Sequence, residues 1–138
     1  MSLEQKLSLL ANRIGQEFTS LRNAFESKTV VDTGTKSGAV VIDYRAGGLY
    51  QEGQIQKITV GGNITNLTVM NWPDSGKAGK LTLYLNLSSA NTVDFTFVSG
   101  WALGSAPTLA VGLNELVFTT IDGGAVVIGH AVALGIAT

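Results

Sequence analysis

The sequence predicts a mainly β protein with one N-terminal α-helix: a helical stretch over residues 1–28, then an antiparallel β-sandwich or jelly roll over residues 29–138. Three observations carry that expectation. Apolar residues recur at helical spacing over Leu3, Leu7, Leu10, Ile14, Phe18, Leu21 and Phe25. From Thr29 onward, short segments rich in Val, Thr and Leu alternate apolar with polar residues. Between them stand dense turn segments such as "GTKSG", "VGGN", "PDSGKAG" and "DGG". Helical periodicity followed by period-two alternation with regular turn punctuation reads as a helix ahead of an all-β domain.

The helix begins with Ser2 and Gln5 at capping-box spacing, and Glu4 lies in the first turn, where the helix dipole favours an anion. Its apolar positions are separated by gaps of 4, 3, 4, 4, 3 and 4 residues. That is an eleven-residue repeat, which predicts a nearly straight or slightly right-handed bundle rather than a tight left-handed coil. Gly15 weakens the helix by about 1 kcal/mol relative to alanine. The other face carries charges of both signs, including Glu4, Lys6, Arg13, Arg22 and Glu26. The stripe either packs on the chain's own sheet or joins helices of other copies. Its narrowness, and its position wholly outside the β region, favour self-association, with Leu3, Leu7, Leu10, Ile14, Phe18, Leu21 and Phe25 as the contact residues.

Strands are expected over residues 29–32, 39–44, 54–60, 63–69, 80–87, 92–98, 114–121 and 125–134. Alternation is clearest in "KLTLYLNL", where Leu81, Leu83, Leu85 and Leu87 share one face, and in "TVDFTFV", where Val93, Phe95 and Phe97 do. "TTIDGGAVV" predicts a hairpin, because Asp-Gly-Gly supplies the positive φ angles of a tight turn.

Composition narrows the function. Hydrophobic residues make up 45% of the 138 and charged ones 14%, too apolar for a disordered chain. The net charge of −1 argues against nucleic acid as a partner. After Lys80 the only charged residues are Asp94, Glu115 and Asp122, so this region is either tightly folded or covered by other chains. The longest apolar run, 125–137, is broken by His130 and two glycines and is too short to span a bilayer, which predicts no membrane insertion. The first residues lack the basic-then-apolar order of a signal peptide, so synthesis in a cytoplasm is expected.

No catalytic constellation is apparent. The chain has no cysteine and one histidine, so no transition-metal site is expected. His130 reads as a core or interface residue rather than a general base. The seven acids of the β region are spread one per segment, which weighs against a two-carboxylate glycosidase. "SGKAGKL" fails as a phosphate loop, because Leu81 stands where a magnesium-binding hydroxyl is needed. No cofactor is expected. Trp72 and Trp101 fit either an aromatic sugar platform or the ends of a β-core, and the second reading is favoured.

The β region nevertheless carries an ordered set of pieces. They are Trp72-Pro73, the Gly-rich loop from Gly76 to Gly79, the alternating strand from Leu81 to Leu87, Trp101, then Gly104-Ser105-Ala106-Pro107-Thr108-Leu109, and finally Thr120-Ile121-Asp122-Gly123-Gly124. In this order and spacing they resemble a module of tailed-bacteriophage structural proteins, especially minor tail and tail-fibre proteins. The likeness covers roughly residues 38–132. The chain departs from the module at Ala125-Val126-Val127 and Phe97-Val98, where aromatic residues are usual. The resemblance implies a virion location, commonly as a homotrimer, with other virion proteins of tail or capsid and host-surface polysaccharide as partners. It names no catalytic residue. Its leading implication is a short tail fibre or tail-tip appendage. A capsid decoration or head-fibre protein is the alternative, and a host-polysaccharide-degrading enzyme is a more distant one.

Overall fold

The computed structural model describes residues 1–26, 29–46 and 54–138. The elements run α1 (Leu3–Glu26), β1 (Val31–Lys36), β2 (Ala39–Asp43), β3 (Ile55–Val60), β4 (Asn66–Met70), β5 (Gly79–Leu87), β6 (Gly100–Trp101), β7 (Gly112–Thr120) and β8 (Ile128–Ile136). The chain is mainly β with one N-terminal helix.

The helix starts as its capping box dictates. The Ser2 amide donates to Gln5 Oε1 at 2.8 Å, and the Gln5 amide donates to Ser2 Oγ at 3.2 Å. Two of the orphan amides of the first turn are thereby satisfied. At Gly15 an added Cβ would meet nothing within 4 Å, so this glycine is not imposed by crowding within the single chain.

The antiparallel sandwich or jelly roll expected from the alternation is not what forms. From β1 to β5, successive strands do not pair as hairpins. β1, β3 and β5 stack in parallel in one sheet, while β2 and β4 stack in parallel in a second. The chain therefore winds as a β-solenoid, each coil laying one strand on each sheet. The register makes the coil explicit: Ala39 pairs with Asn66 and Ile55 with Thr82, the same 27-residue step in both sheets. Apolar residues stack along it. Val40 lies beside Leu67, Ile42 beside Val69, Ile58 beside Leu85 and Val60 beside Leu87. Corners stack as well: the Gly38 amide donates to Asn63 O, the Gly61 amide to Lys36 O and the Ile64 amide to Thr92 O, all at 2.9 Å.

After β5 the winding continues only through residues 92–94, which stack on residues 64–67. The expected strand over 92–98 is reduced to a single parallel bridge between Ile64 and Val93. β7 then returns antiparallel to β5, and β8 antiparallel to β7. The resulting mixed sheet has the order β1-β3-β5-β7-β8-β6, beside the two-stranded β2-β4 sheet. The hairpin expected at Asp122-Gly123-Gly124 does join two antiparallel strands, and both glycines have positive φ, at 73° and 88°. The connection is a loop over residues 121–127 rather than a two-residue turn.

Between the sheets lies one core. Leu81, Leu83, Leu85 and Leu87 of β5 are its spine, with Ile58, Val60, Leu116 and Phe118 beside them and Val40, Ile42 and Leu67 opposite. Burying each such side chain stabilises the fold by roughly 1.5–3 kcal/mol.

The two tryptophans close this core. Trp72 packs 5.2 Å from Tyr44, ring centre to ring centre. It also lies over Gly124, where an added Cβ would come within 2.3 Å of its Cδ1 atom. Trp101 sits edge-on to Phe95 and Phe118 and covers Gly129, where a Cβ would come within 2.6 Å of the ring. Both tryptophans therefore pack over glycines against the core, as the favoured core reading expects.

Candidate assembly surface

The apolar stripe of α1 is uncovered. Residues 3–20 are all exposed, and Ile14, the least exposed of the large apolar side chains in this stretch, still shows 46% of its surface. Phe18 shows 68%. Leu3, Leu7 and Leu10 are also exposed, Leu21 is half-buried, and the side chain of Phe25 lies outside the described residues. Leu10, Ile14, Phe18 and Leu21 line one shallow groove along the helix, with Arg13 and Glu17 on its borders. Six of the seven stripe residues are thus described, and the spacing of five of them places bulky apolar groups in water. An isolated helix of this length is marginal in water, and its stability comes from burying such a face. Monomeric proteins rarely leave a contiguous apolar stripe of this kind exposed.

Several polar residues of the β region are hydrogen-bonded within the fold. Asp43 Oδ1 accepts from Asn71 Nδ2 and from the Arg45 amide, each at 2.9 Å. The Asn71 hydrogen bond, with the Arg45 amide second, lowers the Asp43 pKa from its ordinary 3.8. Glu115 Oε1 accepts from the Tyr84 hydroxyl at 3.3 Å, and burial, followed by the Glu115 charge, raises the tyrosine pKa. His130 lies half-buried on β8, opposite Val117 of β7. Among the described residues, no group of three or more His, Cys, Asp or Glu side chains could hold a metal ion. No described helix is long and apolar enough to cross a membrane.

Asp122 organises the loop before β8. Its Oδ1 accepts from the Val126 amide at 2.9 Å and from the Thr120 hydroxyl at 3.0 Å. The Val126 amide is the main cause of its lowered pKa. A carboxylate whose folded pKa is depressed contributes stability above its unfolded value of 3.8, and that contribution is lost as pH falls through the folded value. Asp122→Asn keeps an acceptor oxygen but cannot titrate. The variant is expected to melt below wild type at pH 7 and to converge on it as pH falls from 5 to 3, as followed by circular dichroism.

Sequence reasoning expected the nearly uncharged region after Lys80 to be tightly folded or covered by other chains, and the structure places an uncovered surface there, on β8. Ile128, Val132, Leu134 and Ile136 are all exposed there. The available signal was the lack of any Lys, Arg, Asp or Glu after Asp122. No family model, curated protein or solved structure matches the chain. The surface itself therefore carries the functional reading.

Proposed function

We propose that this chain is a structural, non-enzymatic component of a tailed-bacteriophage virion: a homotrimeric short tail fibre or tail-tip appendage. In this reading α1 joins three copies and leads to the attachment point, and the β-domain forms the bead beyond it. The observation that carries the reading is the exposed stripe of Leu3, Leu7, Leu10, Ile14 and Phe18 on a helix whose residues 3–20 touch no covering layer. Three such stripes facing one another bury what a single chain leaves in water, at roughly 1.5–3 kcal/mol per fully buried Leu, Ile or Phe. The assignment to a virion rests on the ordered likeness of residues 38–132 to the phage tail module. In the fold, three residues of that likeness, Trp72, Trp101 and Gly124, pack at the β-core.

The test is in two parts. Light scattering on the purified chain at micromolar concentration should give three times the chain mass of 14.4 kDa, and a monomer would reject the assembly. Gold-labelled antibody against the chain should then mark the tail end of intact particles in electron micrographs. Label spread over the head would move the protein to capsid decoration, and unlabelled particles would reject the virion assignment. Incubation with host-surface polysaccharide should release no defined oligosaccharides.

A further inference from the structure

We infer that the outer edge of β8 is a second contact between copies of this chain, formed by Ile128, Val132, Leu134 and Ile136. The inference deepens the assembly reading above and rests on it.

The two flanks of the mixed sheet are built differently. At one end β1 carries Asp32 and Lys36, and a register shift with Gly34 at φ 82° breaks its ladder between Asp32 and Thr35. Charge and a bulge are how an edge strand is kept from pairing with other chains. At the other end β6 covers only Ile128 and Gly129 of β8. From His130 to Ile136, β7 is the only described strand paired with β8. This stretch has no Lys, Arg, Asp, Glu or Pro. Val132 is 56% exposed and Ile136 53%. Alongside, Trp101, Pro107, Gly129, Ala131 and Leu134 line a groove of about 350 Å³, so the surface is concave rather than flat.

Charge sets aside a partner held by ion pairs and suits a second copy. Residues 123–138 have one ionisable side chain, His130, so a partner recognised by charge finds nothing to pair with. Copies of the same neutral edge meet without like-charge repulsion. Area points the same way. The exposed parts of Ile128, Val132, Leu134 and Ile136 sum to on the order of 300 Å², and those of Leu3, Leu7, Leu10, Ile14 and Phe18 to on the order of 500 Å², against about 800 Å² per partner in a stable standard interface. Neither surface reaches that figure alone; together they do. Copies held by α1 also present their β8 edges to one another at high effective concentration.

The experiment uses the full chain. Sedimentation across a concentration series compares wild type, Val132→Lys, and the milder isosteric Val132→Thr, with circular dichroism confirming unchanged helix and sheet. The expected result is at least a tenfold weaker assembly for the lysine variant and a smaller weakening for threonine. Hydrogen exchange should show the amides of residues 130–136 slower in the assembled wild type than in a chain dissociated by Ile14→Asp and Phe18→Asp. An oligomer as tight as wild type in both Val132 variants, with equal exchange at 130–136 in the assembled and dissociated chains, overturns the inference while the helix seam stands. Assembly lost through Val132→Lys but untouched by the helix substitutions supports the β8 contact and rejects the helix seam. A monomeric wild type overturns both.

Discussion

The double substitution Ile14→Asp and Phe18→Asp is expected to reduce the particle from three chains to one at micromolar concentration. Both positions sit mid-stripe, one turn apart on the groove that Leu10 and Leu21 complete. In the single chain both are exposed, so a carboxylate there stays solvated and the β-domain has no reason to lose stability. In the seam each would become a buried, unpaired charge repeated three times about the axis. Breaking or burying a charge without its partner costs about 3–5 kcal/mol, and opening the bundle avoids that cost. Mass from light scattering and the melting temperature of the sheet, measured on the same samples, decide the matter. A fall in mass with the sheet's melting preserved is the expected pair. Loss of sheet stability at unchanged mass would mean that the stripe serves the chain's own fold.

Asn114→Ala is expected to destabilise the β-domain by about 3 kcal/mol or more. Asn114 is fully buried on β7. Its Nδ2 donates to Ala110 O at 2.8 Å and to Leu85 O and Gly112 O at 3.2 Å, and its Oδ1 accepts from the Ala110 and Gly135 amides at 3.1 Å. One side chain thus ties the segment before β7 and the end of β8 to β5. Alanine strands the two amides, each at about 1–3 kcal/mol, and leaves a void. Against a typical domain stability of roughly 5–15 kcal/mol the loss is visible in any urea titration. Asn114→Asp makes the test specific. Its oxygens can still accept from the two amides, but the carboxylate faces three carbonyl oxygens and is buried, so its folded pKa must lie above the unfolded value. Its stability relative to wild type should therefore rise as pH falls and be lost as pH rises through that raised pKa. A variant indifferent to pH, or an alanine variant within about 0.5 kcal/mol of wild type, the range of ordinary surface changes, would show that the network contributes little.

The β8 edge would be the place where these two effects meet. Gly135, whose amide Asn114 accepts, lies between the exposed Leu134 and Ile136. Loosening the Asn114 network should therefore weaken assembly as well as folding.

Much of the local structure was legible in the residues alone. The helix, its capping box and its stripe follow from spacing, because an α-helix puts positions three and four apart on one face whatever lies beyond it. The alternating leucines of β5 and the Asp-Gly-Gly connection are legible for the same local reason. What alternation does not encode is the neighbour. A strand with one buried face reads the same in an antiparallel sandwich and in a parallel solenoid, and here the chain chose to stack strands 27 residues apart. That choice had a trace in the pairs Val40 and Leu67, Ile42 and Val69, Ile58 and Leu85, and Val60 and Leu87, a repeat too short and too degenerate to stand out without the pairing. Asn114, Trp72 over Gly124 and Trp101 over Gly129 were likewise invisible, since each joins segments distant in the chain. Sequence determined which residues are apolar and at what period; only the tertiary structure decided which apolar faces were covered. The core absorbed β3, β5 and β7 and left the stripe of α1 and the edge of β8 in water, because burial depends on what packs against a face and not on the face itself.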